Sequence, residues 1–229
     1  MSFEEVFIIG GGPSMTGFDF TRLSGHTTIA VNHSLFDVPS PDYFITMDYI
    51  WLQKAGIQGR GNLDPHNHTW FTRSQAQKIF VLGLSQPRLK TIDYHHYYDN
   101  ELEKEYDLSL FDNVIIASQY GGMGTHLSDF HCASDSGYCA LQLAVGMGIK
   151  KIYLLGMDFV IDRTRTHYRP DCQHHALDEY QKDLNLFLDA YIQAFVDIHA
   201  KTDIEVVSLS KISRLNAYIP YEDVDEVLK

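Results

Sequence analysis

The sequence predicts an α/β protein with one doubly wound, mostly parallel Rossmann-like sheet, helices on both faces and a small irregular lid. Three observations carry that prediction. Short β-branched runs recur along the chain, at Val6–Ile9, Thr27–Val31, Tyr43–Thr46, Lys78–Leu82, Val114–Ala117, Ile152–Leu155 and Ile204–Ser208. Most are apolar on consecutive residues, as strands buried on both faces of a parallel sheet require. Between the later runs the apolar spacing changes to three and four residues, which is helical.

The first run enters Gly10-Gly11-Gly12-Pro13-Ser14. Glycines directly after the first strand let the backbone approach a ligand, and a following proline presets φ for the first turn of a helix. A tight turn that binds nothing uses the same residues. Met15 at the sixth position departs from the dinucleotide fingerprint, and no Gly-Lys-Ser/Thr follows to make a Walker loop. The second and third runs end at Asn32-His33 and Met47-Asp48. Ligands in open parallel sheets sit beyond the carboxyl ends of the strands, so Asn32 and Asp48 border the volume that Gly10, Gly11, Gly12 and Ser14 face. Both are also ordinary turn-capping residues.

The stretch from Leu52 to Tyr106 is irregular and rich in His, Asn, Gly and Tyr. Residues 118–131 read as a glycine-hinged, mobile loop, and 160–175 as a second mobile loop at the site. A compact helix fits Gly137–Met147, with Ser134 or Asp135 as N-cap and Gly148 past its end. Ser136 and Gly137 at its start offer a hydroxyl, free amides and the positive end of the helix dipole. From Leu177 a long helix places Tyr180, Leu184, Phe187, Leu188, Tyr191, Phe195 and Ile198 on one face. Asp223-Val224-Asp225, after Pro220, reads as a solvated helix start rather than a metal-binding Asp-x-Asp. Residues 1–229 form a single domain in this reading.

Composition narrows the function classes. Thirty Asp plus Glu against eighteen Lys plus Arg give a formal net charge of −12, which argues against a duplex-DNA binder. The three cysteines are an odd number without a CxxC, so no disulfide framework is implied. The acidic start lacks a signal-peptide pattern, and no apolar run reaches the roughly 20 residues of a membrane span. A cytoplasmic protein is the expectation.

The order Ile8-Ile9-Gly10-Gly11-Gly12-Pro13-Ser14-Met15, then Gly17-Phe18-Asp19-Phe20-Thr21-Arg22-Leu23, resembles the opening of the bacterial lipo-oligosaccharide sialyltransferases and of related phage, surface-polysaccharide and pterin-diphosphokinase-like proteins. Ser136-Gly137-Tyr138-Cys139-Ala140 through Gly148 to Ile152-Tyr153-Leu154-Leu155-Gly156-Met157-Asp158-Phe159 is similar to that family's second block. The resemblance implies that Gly10, Gly12, Ser14, Ser136 and Gly137 hold the nucleotide of an activated donor. The family has an asparagine after its first glycine, where this chain has Gly11. Its asparagine ending the second strand is retained as Asn32, followed here by His33 in place of glutamine.

After Asp158-Phe159 comes Arg163-Thr-Arg165-Thr-His167-Tyr168-Arg169-Pro170-Asp171-Cys172-Gln173-His174-His175. The resemblance matches His167-Tyr168 to a His-Tyr pair that precedes the family's general base by a few residues. His174 is the first candidate for that base and His167 the second, since imidazole titrates near working pH. Arg163, Arg165 and Arg169 can neutralise a leaving phosphate. The ligand types of His167, Asp171, Cys172, His174 and His175 suit zinc, but their spacing matches no standard site, so no metal is expected.

Taken with the resemblance, these residues imply a nucleotide-donor-dependent transferase, a metal-independent glycosyltransferase of the sialyltransferase-like type. Its donor would be a cytidine or uridine nucleotide sugar and its acceptor a carbohydrate or other hydroxyl compound. Pterin diphosphokinase-like phosphoryl transfer, which requires magnesium, and a non-catalytic, phage-associated nucleotide-binding module are the alternatives. Association into a homo-oligomer stays open.

Overall fold

A computed structural model describes residues 4–57, 64–82, 108–133, 135–174 and 176–229. The apolar runs form seven strands: β1 (Glu5–Ile9), β2 (Thr28–Val31), β3 (Tyr43–Thr46), β4 (Gln77–Leu82), β5 (Asn113–Ile116), β8 (Lys151–Leu155) and β9 (Glu205–Ser208). They pair side by side in the order β5-β4-β3-β2-β1-β8-β9, every pairing parallel. The chain winds outward from β1 to β5, then returns to lay β8 against the other side of β1. That reversal puts the topological switch point between β1 and β8, where open parallel sheets carry their ligand crevice.

Alternate residues of each strand enter two separate cores. Val6, Ile8, Ile29 and Leu154 pack beneath α3 (Ser136–Gly146) and α4 (Leu177–Lys201). Phe7, Ile9, Phe44 and Tyr153 pack on the opposite face, with Trp51 of α1 (Tyr49–Lys54) and Phe71 of α2 (Pro65–Arg73). Helices therefore cover both faces, as the consecutive apolar runs predict. Helix α4 buries Leu184, Leu188, Tyr191, Ala194, Phe195 and Ile198, a stripe at helical spacing. Among the described residues, no helix is long and apolar enough to cross a membrane.

Two regions differ from expectation. The stretch read as irregular contains the end of α1 and all of α2; the N-caps of the two helices are Asp48 and Asp64. Asp64 accepts from the amides of His66 and Asn67 at 2.9 and 3.2 Å, and Pro65 opens the helix. The cap and proline signal was present, but only Phe71 of α2 is buried, so hydrophobic periodicity was too weak to reveal it. His95 and His96, an adjacent pair that reads as loop polarity rather than as ligands, lie outside the described residues.

Residues 118–131 hold two short parallel strands with their continuation, β6 (Gln119–Tyr120) and β7 (His131–Cys132). The buried Gln142 side chain donates to the Gly124 carbonyl and accepts from its amide, both at 2.9 Å. Lys201 Nζ donates to the Met123 carbonyl at 3.1 Å. This segment is fastened to α3 and α4 and does not line the crevice, contrary to its expected place at the site.

Candidate active site

The turn after β1 is built against the end of β8. Gly10 and Gly12 donate their amides to the carbonyls of Leu155 and Gly156, both at 2.8 Å. Ser14 donates its amide and its hydroxyl to the two oxygens of Asp158, each at 2.7 Å. Asp158 is 2% exposed, and burial pushes its carboxyl pKa upward despite those bonds. A Cβ on Gly12 would overlap Asp158 Oδ2 and lie 2.7 Å from the Gly156 carbonyl. Most of the turn is thus committed to the protein itself. This corrects the expectation for Ser14, whose hydroxyl is engaged by Asp158 and which does not line the crevice.

The ends of β2 and β3 form the opposite wall. Asn32 sits at φ 52°, a left-handed conformation that asparagine tolerates better than most residues. Its Oδ1 accepts from the Thr46 hydroxyl at 2.7 Å, which in turn accepts the Asp48 amide at 3.0 Å. Asp48 Oδ1 caps α1 through the Trp51 amide at 3.0 Å. The start of α3 closes the floor: Ser136 Oγ accepts the Met47 amide at 3.0 Å. Asp135, one of the two N-cap candidates, is the N-cap and accepts from the Tyr138 amide at 2.9 Å and the Tyr191 hydroxyl at 3.2 Å. Its second oxygen is buried with no partner among the described residues, and burial raises its pKa to about 6. Gly137 is required by packing, because a Cβ there would lie 2.7 Å from the Tyr191 hydroxyl. Ser134 lies outside the described residues.

The segment 160–174 folds over the glycine turn. Tyr168 donates its amide to the Gly11 carbonyl at 3.1 Å. Gln173 holds the segment together, accepting from the Thr166 amide at 2.8 Å and donating to the carbonyls of His167 and Arg169 at 2.6 Å each. His167 stacks on Tyr168 with ring centroids 4.8 Å apart and meets His33 edge-on at 5.9 Å. Burial lowers the His167 pKa to about 3 and that of His33 to about 4, with the Arg169 charge adding to both. His174 is exposed at the rim and stacks on Tyr180 at 4.0 Å.

Tyr168 and Arg169 are placed differently from the catalytic roles expected of them. The Tyr168 hydroxyl and Arg169 Nη1 both donate to Asp37 Oδ2, and Arg169 Nε donates to Asp171 Oδ1 at 3.2 Å. Neither residue lines the crevice, so both anchor the segment rather than face a ligand. Arg163 and Arg165 are exposed and also outside the lining.

These walls enclose a cavity of about 740 Å³, within the range of small-molecule sites. It gathers Gly10, Gly11, Gly12, Asn32, Asp48, Ser136, Gly137, His167 and His174, which lie far apart in sequence. Sequence reasoning missed its acidic character: Asp135, Asp158, Asp171, Glu179 and Asp183 also line it. No Lys or Arg lines it among the described residues. In sequence these carboxylates read separately, as a cap, a strand-end residue, a loop residue and helix residues; only the fold brings them to one volume.

His33, His167 and Cys172 bring potential ligand atoms within 4.8 Å of one another, a set whose types suit zinc. Their present state does not fit a metal. His167 Nδ1 accepts the Arg169 amide at 3.0 Å, so the neutral ring carries its proton on Nε2. Burial pushes the Cys172 thiol up to about 11 in the metal-free protein. His175 lies outside the described residues.

The sheet order and the crevice at its switch point define a Rossmann-like α/β architecture with a cavity at the strand ends. Among solved structures, the chain resembles the fold of the bacterial lipo-oligosaccharide sialyltransferases. Sialyltransferase CST-II in complex with a trisaccharide acceptor and CMP shares 14% identity over 95% of this chain and 85% of that one, with a TM-score of 0.53. CstII from Campylobacter jejuni with cytidine-5′-monophosphate shares 14% over 96% and 86%, TM-score 0.51. Monomeric CstII shares 13% over 94% and 85%, TM-score 0.54. At these identities the likeness is one of fold. No protein-family model matches the chain, and no curated protein does.

Proposed function

We propose that this protein is a glycosyltransferase that uses a nucleotide-activated sugar, of the sialyltransferase-like type. The observation that carries the reading is the 740 Å³ cavity at the β1–β8 switch point, walled by the glycine turn, Asn32, Asp48 and the start of α3. That is where the sheet-edge rule puts a nucleotide. The neighbours in complex with CMP share the sheet on which such a cavity is built. In this reading the nucleotide occupies the space between Asn32, Asp48 and Ser136, with its phosphate toward Gly11. The acceptor lies toward the first turns of α4. There Glu179 and Asp183 can accept from hydroxyls, while Tyr180 and Phe187 offer apolar ring surface to a sugar. His174, at the same rim, is the base that takes the proton of the attacking hydroxyl. A cytidine or uridine nucleotide is the donor class this reading favours.

One observation favours a second reading. An acidic cavity without Lys or Arg among its described lining residues suits a magnesium-bound nucleotide, as phosphoryl transfer requires. A thermal-shift panel separates the two. A ligand at 100 times its Kd stabilises the fold by about 2.7 kcal/mol, a clear rise in Tm. CMP, UMP or their sugar derivatives should raise Tm with EDTA present. Stabilisation confined to ATP with magnesium would replace the transferase with the kinase reading, and no response to any nucleotide would remove both.

A further inference from the structure

We propose that His167 is a phosphate-binding residue of this site, donating its Nε2–H to the phosphate of the bound nucleotide from a tautomer fixed by the Arg169 backbone. The proposal rests on the nucleotide reading above and adds to it the group that meets the anion.

Geometry fixes the tautomer. The Arg169 amide donates to Nδ1 at 3.0 Å, which uses the lone pair of that nitrogen. A neutral imidazole then has its one proton on Nε2. Among the described residues no acceptor takes that proton, although the residue is partly buried. The ring is also aimed. A Cβ built on Gly11 would lie 2.6 Å from His167 Cδ2 and closer still to Nε2, so the Nε2 edge hangs directly over the glycine turn inside the cavity. Tyr168 donating to the Gly11 carbonyl and Gln173 bracing residues 166–169 hold it there.

The site needs such a donor. Gly10 and Gly12 give their amides to β8-end carbonyls, Ser14 gives its amide to Asp158, and Pro13 has none. Among the described residues the Gly11 amide alone is left by that turn, and no Lys or Arg lines the cavity. A phosphate seated at the turn is therefore met by the Gly11 N–H and the His167 Nε2–H. His33, Arg169 and His174 oppose a second proton on His167, while Asp171 favours one; with burial, the balance leaves the ring uncharged. A neutral Nε2–H donor has no lone pair for a proton from the acceptor, so His167 is not the base. As the glycosyl bond to phosphate breaks, the electron pair passes to a phosphate oxygen, and the Nε2–H bond strengthens with the charge there. No proton transfer to or from His167 is needed.

The test compares CMP and UMP with cytidine and uridine by calorimetry, on wild type, His167→Ala and His167→Gln, with circular dichroism confirming each fold. Losing one hydrogen bond to a charged group should weaken monophosphate binding by about 10–100-fold. Nucleoside binding should stay unchanged in His167→Ala, and His167→Gln, which keeps an N–H near the Nε2 position, should recover part of the loss. Long-range 15N–1H spectra of the wild type should place the protonated nitrogen at Nε2 between about pH 5 and 8. A wild type that binds no monophosphate overturns the nucleotide reading and this assignment together. Monophosphate affinity unmoved by His167→Ala, an equal loss for nucleoside and monophosphate, or a proton on Nδ1 overturns this assignment alone.

Discussion

The His167 imidazole occupies the space that any side chain at position 11 would need, with Cδ2 lying 2.6 Å from where a Gly11 Cβ would stand. Two residues 156 positions apart are thereby made dependent on each other. The backbone bond from Tyr168 to the Gly11 carbonyl fixes the same contact from the other side. The resemblance gives an asparagine at this position; in this chain Gly11 leaves the room that the His167 ring fills.

That dependence predicts non-additivity. Gly11→Ala in the wild type should displace the ring, lower stability and weaken nucleotide binding. In a His167→Ala background the same change should have little effect on stability. The coupling should reach about 1–3 kcal/mol, as for residues in direct contact. Urea melts of the four proteins measure it, and additive losses would mean that the ring does not rest on Gly11.

Gly12 answers to a different neighbour. Its added Cβ would meet the buried Asp158 carboxylate, which is held by two bonds from Ser14. Gly12→Ala should therefore destabilise the fold by about 1–3 kcal/mol, a typical overpacking effect, before any question of ligand binding arises. Gly12→Val should be worse. Unfolding curves without nucleotide decide it: a Gly12→Ala protein of unchanged Tm would return the glycine to a role facing ligand.

The strands were legible because residues such as Val6–Ile9 and Ile152–Leu155 are buried on both faces, and that burial leaves an uninterrupted apolar run in the sequence. The long helix was legible from its stripe, Leu184 to Ile198. The candidate site was legible in outline, because strand ends in a parallel sheet converge by topology alone. Partnerships were not. Nothing in the local pattern tells whether Ser14 faces a ligand or Asp158, or that Tyr168 and Arg169 are bound to Asp37, more than 130 residues earlier. Asp135 likewise reads as a plain cap; only the fold buries its second oxygen without a partner among the described residues.

Asp135 and His33 should give stability an opposed pH dependence. The folded pKa of Asp135, about 6, lies above its ordinary 3.8, so the fold binds this proton more tightly than the unfolded chain. Its contribution is fully present below about pH 4 and is lost as pH rises through about 6. His33 has a folded value of about 4 against 6.5, so the unfolded chain takes up the proton first. Stability from His33 falls as pH drops below about 6.5 and goes on falling to about 4. Each effect is worth roughly 3 kcal/mol at full extent. Asp135→Asn, which keeps an N-cap oxygen, should raise Tm above pH 6 and remove the first dependence. His33→Gln should flatten the second. Melting curves from about pH 4 to 8 test both, and parallel profiles for variants and wild type would show that neither group titrates as its burial requires.

In the proposed transferase reading His174 is the base, because the Nδ1 of His167 is engaged by the Arg169 amide. It lies at the cavity rim beside the α4 turns assigned to the acceptor, stacked on Tyr180 at 4.0 Å with the rings 9° from parallel. Stacking fixes the plane of the imidazole at that rim. His174→Ala should lower turnover by about 10²–10⁴ and leave nucleotide affinity unchanged. The acid limb of the pH–rate profile should disappear with it. Tyr180→Leu, which removes the stacking surface but not the imidazole, should reduce turnover by a smaller factor and keep that limb. His167→Ala should instead raise the Kd for the monophosphate and retain the limb. Single-turnover rates at saturating donor separate these outcomes from binding. If His174→Ala turns over normally and His167→Ala loses the acid limb, the roles of the two histidines are reversed and the Arg169 amide does not fix the tautomer during turnover.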